Sequence, residues 1–98
     1  MPLIPAKEVN QQLKVRLEWT KQAKAIRRTF QFAGFPESID FVRRVARKAQ
    51  KIKHHPDINI HFDKVTLALS SHEEGGITEK DFALAAQCDE IFEQTVAA

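Results

Sequence analysis

Two parts of the chain alternate apolar with polar residues, and this alternation constrains the fold more than any other feature. The first part contains residues 15–19 and 26–32, and the second contains residues 58–63 and 65–70. A period of two residues is the pattern of a β-strand with one buried and one polar face. Each part therefore predicts a hairpin, and residues 20–24 form the predicted connection of the first one.

A long amphipathic segment separates the two hairpins and predicts a helix. Pro36 suits the first helical turn, while Glu37 and Asp40 add negative charge near the positive end of the helix dipole. Pro56 ends any continuation, because proline lacks an amide hydrogen and restricts the residue before it. Four apolar residues at helical spacing define the predicted buried stripe: Val42, Val45, Ala49 and Ile52.

A second long helix is predicted after Gly75 and Gly76 interrupt the chain. Thr78 is a suitable N-cap, and Asp81 three residues later gives a short version of the capping box. The apolar residues expected to face the core, of which the first two form a hydrophobic staple, are Ile77, Phe82, Leu84, Ala85, Cys88, Ile91 and Phe92.

With a short helix over residues 5–13, the predicted order of elements is (α)ββαββα. Two hairpins and two amphipathic helices predict an α+β fold, a two-layer sandwich in which helices cover one face of a four-stranded antiparallel sheet. A chain of 98 residues has room for one hydrophobic core, so residues 1–98 are interpreted as a single domain. The other sheet face carries too many polar residues for a second core, and we expect it to be exposed to solvent or to be an assembly surface.

Composition narrows the function classes. With 43% hydrophobic and 29% charged residues, the chain resembles a soluble globular protein, and no apolar run approaches the roughly 18 residues that span a bilayer. The first eight residues lack the features of a signal peptide, so we expect a cytoplasmic location. Cys88 alone can form neither an intramolecular disulfide nor a thiolate metal cluster.

The net charge of +2 is unevenly distributed along the chain. Six cationic residues crowd the C-terminal half of the predicted central helix and its end: Arg43, Arg44, Arg47, Lys48, Lys51 and Lys53. Such a cluster can bind nucleic acid or an acidic partner. Because no aromatic residues are interleaved with it, a solvated helix face is the favoured interpretation, and nucleic-acid binding is not expected.

The four histidines of the chain fall within nineteen positions. His54 and His55 stand where the central helix is predicted to end, and His72 follows the last predicted strand. Loops at the ends of rigid elements are common mounting points for catalytic groups. His61 shares a strand face with Asn59, opposite the apolar residues, so we expect it to point to solvent.

Three interpretations of His54, His55 and His72 compete. Acid–base catalysis is favoured, because imidazole ionises near neutral pH. A metal site is less favoured, since neighbouring side chains diverge and the chain has no HxH, HxxxH or HExxH spacing. Capping of a helix C-terminus is the structural alternative. Nucleophilic catalysis by serine or cysteine has little support, because Ser70 and Ser71 lack the context of a nucleophile elbow and Cys88 falls on the predicted buried stripe of the last helix.

The histidines belong to a longer pattern of spaced residues. The His-His-Pro triplet of residues 54–56 is followed after five residues by Phe62, after nine more by His72 and after eight more by Asp81. Around these stand Gln50-Lys51-Ile52-Lys53, Asp57-Ile58 and Ser71-His72-Glu73-Glu74-Gly75-Gly76-Ile77-Thr78, with Trp19, residues 26–32 and Phe41-Val42 upstream. This combination resembles the pterin-4a-carbinolamine dehydratase family over nearly the whole chain, and the family's αββαββα fold agrees with the predicted order.

The resemblance implies a hydro-lyase that removes water from 4a-hydroxytetrahydrobiopterin and gives quinonoid dihydropterin, a step of tetrahydrobiopterin recycling. It implies acid and base roles for His54 and His72, in no fixed order, and substrate positioning by His55. The residues implied to contact the pterin are His54, His55, Pro56, Ser71, His72, Glu73 and Glu74. The resemblance implies no metal, no organic cofactor, and association into homodimers or homotetramers.

Two candidate supporting residues need separate interpretation. The family most often has Glu four positions before the first histidine, where this chain has Gln50, and an amide cannot stabilise a histidine cation as a carboxylate does. Asp81 is either the partner of the Thr78 cap or a member of the site.

The alternative function is a non-catalytic, dehydratase-like protein that binds other proteins, as a Rubisco assembly factor or a coactivator.

Overall fold

The predicted order of helices and strands is confirmed in the computed structural model, which describes residues 2–97. The elements are α1 (Ala6–Leu13), β1 (Thr20–Gln22), β2 (Ala25–Gln31), α2 (Phe35–Ile52), β3 (Asp57–His61), β4 (Lys64–Leu69) and α3 (Glu79–Ala97). The strands form one antiparallel sheet in the order β1-β2-β4-β3. The long helices α2 and α3 pack against each other and against β4, which confirms the two-layer α+β sandwich.

The hydrophobic core lies between the sheet and the two long helices. In the central strands, Phe30 of β2 pairs with Val65 of β4, and both side chains are buried. The helices contribute buried residues of their own: Phe41, Val45, Phe82, Leu84, Ala85 and Cys88. On the opposite face of the same strands, the hydroxyl oxygens of Thr29 and Thr66 lie 2.8 Å apart. The sheet therefore has one apolar and one polar face, as the alternation predicted.

The prediction of a strand over residues 15–19 is wrong. Val15 and Leu17 are 82% and 78% exposed, and the chain turns here through backbone hydrogen bonds that span three residues. These bonds satisfy the backbone locally, so the segment needs no strand partner. β1 begins after it, inside the predicted connection, and only residues 23–24 form the turn of the first hairpin.

α2 has Pro36 in its first turn, as predicted. Its buried residues are Ser38, Phe41, Val45 and Ala49. Val42 is only partly buried, and Ile52 is 40% exposed. The predicted stripe is therefore wrong at Ile52, because the helix ends at this residue and no further turn covers it. Within residues 2–97, no helix is both long and apolar enough to cross a membrane.

β3 is an edge strand whose five residues are all exposed. The register places Ile58 and Ile60 opposite buried residues of β4, on the helix-covered face, where they remain 37% and 40% exposed. Phe62, the last apolar residue of the predicted alternation, lies in the following turn with a φ of 56° and is 65% exposed. Alternation fails at Phe62 because strand pairing ends one residue earlier.

α3 begins with the predicted capping box. The backbone N–H of Thr78 donates to Asp81 Oδ2 at 2.9 Å, and Thr78 Oγ1 accepts the N–H of Lys80 at 3.2 Å. Ile77 and Phe82, the two residues of the predicted staple, are both buried. The cap orders the first turn of α3 and with it the position of the Asp81 carboxylate.

Candidate active site

Two connections of the chain meet beside the start of α3 and enclose a cleft of about 170 Å³. One connection follows α2, and the other joins β4 to α3. The lining residues are Lys53, His54, His55, Ser70, Ser71, His72, Glu73, Glu74 and Lys80. The fold therefore brings together the three histidines that the sequence singled out, although up to eighteen positions separate them in the chain.

The end of α2 directs His54 toward this cleft. Lys53 caps the helix in the left-handed conformation, with a φ of 56°. The N–H groups of Lys53 and His54 donate to the carbonyls of Gln50 and Ala49, at 3.3 and 3.1 Å. These bonds satisfy carbonyls at the helix terminus and reverse the chain direction. The left-handed residue costs about 1 kcal/mol in a non-glycine position, which indicates that the surrounding contacts hold this turn.

His54 is held by a buried carboxylate. Its Nε2 lies 2.7 Å from Asp81 Oδ1, and the two side chains are 13% and 0% exposed. An ionised carboxylate only accepts hydrogen bonds, so Nε2 carries the proton of this bond. The Nδ1 atom of the ring takes no part in this bond. Asp81 thus sets both the orientation and the tautomer of the ring.

The other carboxylate oxygen of Asp81 has neutral partners. Asp81 Oδ2 accepts the Ser71 hydroxyl at 3.1 Å and the Thr78 backbone N–H at 2.9 Å. The hydroxyl oxygens of Ser71 and Thr78 are 2.7 Å apart, and both residues are buried. Asp81 therefore caps α3 and contacts His54 at the same time, so the two interpretations of this residue are compatible.

The connection from β4 to α3 is a tight turn over residues 71–76. The N–H of Ser71 donates to the Gly76 carbonyl at 2.8 Å, and the N–H of Gly75 donates to the Ser71 carbonyl at 2.9 Å. Gly75 has a φ of 79°, a backbone conformation that residues with a Cβ atom rarely adopt. The turn leaves the side chain of His72 exposed at the cleft while that of Ser71 points inward and is buried.

His55 has a different environment from His54. It is exposed, and its Nε2 lies 3.0 Å from the Oε1 atom of Gln50. Because an amide oxygen only accepts, this contact makes Nε2 the protonated nitrogen of His55. Gln50 thus contacts the second histidine of the pair, whereas its position in the motif predicted an effect on the first, His54. His61 is exposed on β3 and does not line the cleft, which agrees with its predicted orientation to solvent.

The remaining predicted residues surround the histidines. Glu73 and Glu74 line the cleft, while Pro56 lies beside it, between His55 and β3. Two lysines, Lys53 and Lys80, also line the cleft and were not predicted. Lys53 directly precedes the histidine pair, which is a signal that the sequence does contain. Lys80 directly precedes the candidate residue Asp81, but only the docking of α3 brings its side chain to the cleft.

A broader trough on the uncovered sheet face opens next to the cleft. Its volume is about 760 Å³, and it shares Ser70 and His72 with the cleft. The strands contribute several polar side chains to its lining, among them Arg27, Asn59 and Thr66. Among the side chains that the structure describes, no group of three or more His, Cys, Asp or Glu converges in a way that could hold a metal ion.

Comparison with known proteins confirms the family resemblance. The family model for pterin 4 alpha carbinolamine dehydratase matches residues 2–91. A curated relative from Herpetosiphon aurantiacus is 49% identical over 92 residues, which cover 94% of this chain and 96% of the relative. A relative from Chloroflexus aurantiacus is 50% identical over 91 residues, covering 93% and 98%. Both names assign these relatives provisionally as pterin-4-alpha-carbinolamine dehydratases. The chain belongs to the pterin-4a-carbinolamine dehydratase family.

Two solved structures share the fold. A protein of Brucella melitensis, described as a transcriptional coactivator/pterin dehydratase, superposes with a TM-score of 0.86 at 31% identity, over 90% of this chain and 96% of its own. A pterin dehydratase-like protein, described as a RuBisCO assembly factor in the alpha-carboxysome, superposes with a TM-score of 0.62 at 21% identity, over 76% and 86%. At 21% identity, the similarity to the second structure shows only that the fold is shared.

Proposed function

We propose that this protein is a hydro-lyase that dehydrates 4a-hydroxytetrahydrobiopterin to quinonoid dihydropterin, in the recycling of tetrahydrobiopterin. The observation that carries the proposal is the 2.7 Å contact between His54 and the buried Asp81 carboxylate, in a cleft that two further histidines line. A carboxylate that orients an imidazole prepares it for proton transfer. Membership of the dehydratase family supports the choice of substrate.

The reaction needs two proton transfers. A proton must reach the 4a-hydroxyl as the C4a–O bond breaks, and the N5 proton must leave as the C4a–N5 double bond forms. Water is the other product, so atoms and charges balance. Two imidazoles can carry these protons without a metal ion or an organic cofactor, and general acid–base catalysis contributes typically about 10²–10⁴-fold.

The catalytic residues are His54 and His72, one as acid and the other as base. Nδ1 of His54 is the proton-exchanging atom, because Nε2 is engaged with Asp81. His72 faces the same cleft from the turn after β4. His55 positions the substrate, with Gln50 as its hydrogen-bond acceptor. Glu73 and Glu74 provide acceptors for the amino and N–H groups of the pterin ring.

The test follows the ultraviolet absorbance of freshly generated 4a-carbinolamine mixed with the purified protein. We expect dehydration faster than in buffer, with a loss of about 100-fold or more in His54→Ala and in His72→Ala. His61→Ala is the matched control, since His61 is exposed and outside the cleft, and it should retain the wild-type rate. A wild-type rate equal to that of buffer would refute the dehydratase function.

A non-catalytic role in binding other proteins is the second candidate. The observation that favours it is Gln50, an amide at the position where the family most often has a carboxylate, next to an exposed basic surface on α2. Part of that charge is already neutralised, because Arg43 and Arg44 contact Asp40 at 2.6 and 3.1 Å, and Arg43 in particular lowers the pKa of this carboxyl. A stable complex with an acidic partner that survives His54→Ala and His72→Ala would favour this role.

Association of several copies is part of the proposal. β3 offers an unpaired edge, and Ile58 and Ile60 on it are 37% and 40% exposed. Pairing of this edge with a second copy would extend the sheet, and contacts between helices would join dimers into a tetramer. Light scattering of the purified protein measures the state, for which a homodimer or homotetramer is expected. The cytoplasmic location stays a prediction.

A further inference from the structure

The Ser71 hydroxyl is fully engaged inside the protein. Ser71 is 4% exposed, and its Oγ lies 3.1 Å from Asp81 Oδ2 and 2.7 Å from Thr78 Oγ1. A hydroxyl has one proton, and the carboxylate can only accept, so Ser71 donates to Asp81. The proton between the two hydroxyls must then come from Thr78. The Thr78 hydroxyl thus donates to the Ser71 oxygen, and the Ser71 hydroxyl donates to Asp81 Oδ2.

These contacts fix the plane of the Asp81 carboxylate. Oδ2 receives two donors from different directions, the Ser71 hydroxyl and the Thr78 backbone N–H. With Oδ2 held in this way, Oδ1 points to His54 Nε2. The carboxylate is 0% exposed, so no water competes for these positions. The direction of the His54 ring therefore depends on a hydroxyl that does not contact it.

We propose that Ser71 is a positioning residue that couples the two catalytic histidines. Its hydroxyl orients the carboxylate that holds His54, while its backbone directly precedes His72. The proposal rests on the proposed dehydratase function and deepens it. It also assigns Ser71 a role other than the substrate contact that the family resemblance implies, because the buried hydroxyl has no proton left to donate to a pterin.

The kinetic test compares Ser71→Ala with Ser71→Thr. Ser71→Ala removes the donor to Asp81, so kcat should fall about tenfold or more while KM stays within about twofold. Ser71→Thr keeps a hydroxyl and should restore at least half of the lost kcat. A change in KM alone would indicate a substrate contact and overturn the proposal, and so would an unchanged kcat in Ser71→Ala.

Ser38→Ala is the matched control for a general effect of losing a buried hydroxyl. Ser38 is 0% exposed, donates to the Gly34 carbonyl at 3.1 Å, and lies in the first turns of α2, at the opposite end of that helix from the site. It should lower the thermal unfolding temperature to a similar extent as Ser71→Ala but leave kcat unchanged. An equal loss of kcat in both variants would overturn the positioning role.

A spectroscopic measurement separates this proposal from the dehydratase function. Long-range ¹H–¹⁵N correlation spectra of the imidazole rings report the tautomer of His54 directly. The wild type should show His54 with the proton on Nε2, and Ser71→Ala should show a mixture of tautomers. If the wild type proves inactive but this change occurs, the dehydratase function fails and the positioning role stands. An unchanged His54 spectrum in Ser71→Ala would overturn the positioning role, whether or not the wild type is active.

Discussion

Two carboxylates on α3, Asp81 and Asp89, stand eight residues apart and both accept several hydrogen bonds. Asp81 has two neutral donors and one titratable imidazole, and it is fully buried. Asp89 contacts two guanidinium groups and an indole, and 17% of its side chain is exposed. The two arginine partners of Asp89 carry permanent charges, whereas the partners of Asp81 are two neutral donors and an imidazole, the side chain that acid–base catalysis uses most often.

Asp89 connects three parts of the fold. Its carboxylate accepts Arg28 Nη1 of β2 at 2.6 Å, Trp19 Nε1 at 2.9 Å and Arg16 Nη1 at 3.2 Å. The guanidinium of Arg28 also lies 4.2 Å from the ring centre of Phe30. Permanent charges at Asp89 thus hold the sheet, the segment before it and α3 together. Asp81 instead holds the imidazole that we propose as a catalytic group.

Asp81→Asn should have the largest effect, on activity. The amide has no negative charge, and it cannot accept at both ends, so the orientation and tautomer of His54 are no longer imposed. We expect kcat/KM for the 4a-carbinolamine to fall by about 100-fold or more, while the weakened cap costs only about 1 kcal/mol of stability. Steady-state kinetics and urea unfolding of the same samples measure the two effects. Near-wild-type activity would show that Asp81 has a structural role only.

Asp89→Ala should have the opposite effect to Asp81→Asn: a large loss of stability and little loss of activity. It leaves two guanidiniums and an indole without their acceptor, and we expect the free energy of unfolding to fall by about 2–3 kcal/mol. This is less than the roughly 3–5 kcal/mol for a fully buried ion pair, because the carboxylate is partly exposed. The folded fraction should retain kcat within about twofold. Urea unfolding and kinetics below the transition check this, and a selective loss of kcat would show that Asp89 also belongs to the site.

Replacement of Cys88, next to Asp89, should have the smallest effect, which is a change in how stability depends on pH. Burial, together with the negative charge of Asp89, raises the pKa of this thiol to about 12. In the unfolded chain the thiol ionises near pH 8.5. Between these values the unfolded state loses the proton and the folded state keeps it, so stability falls as pH rises. Relative to Cys88→Ala, the wild type should lose about 1–2 kcal/mol between pH 8 and pH 10 in urea unfolding. If the stability of the two proteins changed with pH in the same way, the raised pKa of Cys88 would be contradicted.

Local patterns in the sequence account for much of the fold. Pro36 marks the first turn of α2, and Thr78 with Asp81 forms the capping box of α3. These features involve residues a few positions apart, whose geometry is set by backbone sterics and short-range hydrogen bonds. The strand prediction over residues 15–19 failed because three alternating apolar residues do not reveal that the backbone satisfies itself in turns. Trp19 is buried there in the core, where its ring packs edge-on against Phe30 and its indole N–H donates to Asp89, seventy residues away.

Patterns along the chain predicted the class of fold, the family and the three histidines of the candidate site. The partners of the first two histidines follow from the folded structure: Asp81 for His54, twenty-seven residues away, and Gln50 for His55. It also showed that Ser71 faces Asp81, while His72 beside it faces the cleft. The physical reason is that these contacts depend on how α3 packs against α2 and the sheet. Such packing minimises exposed apolar area over the whole chain and leaves no trace in local spacing.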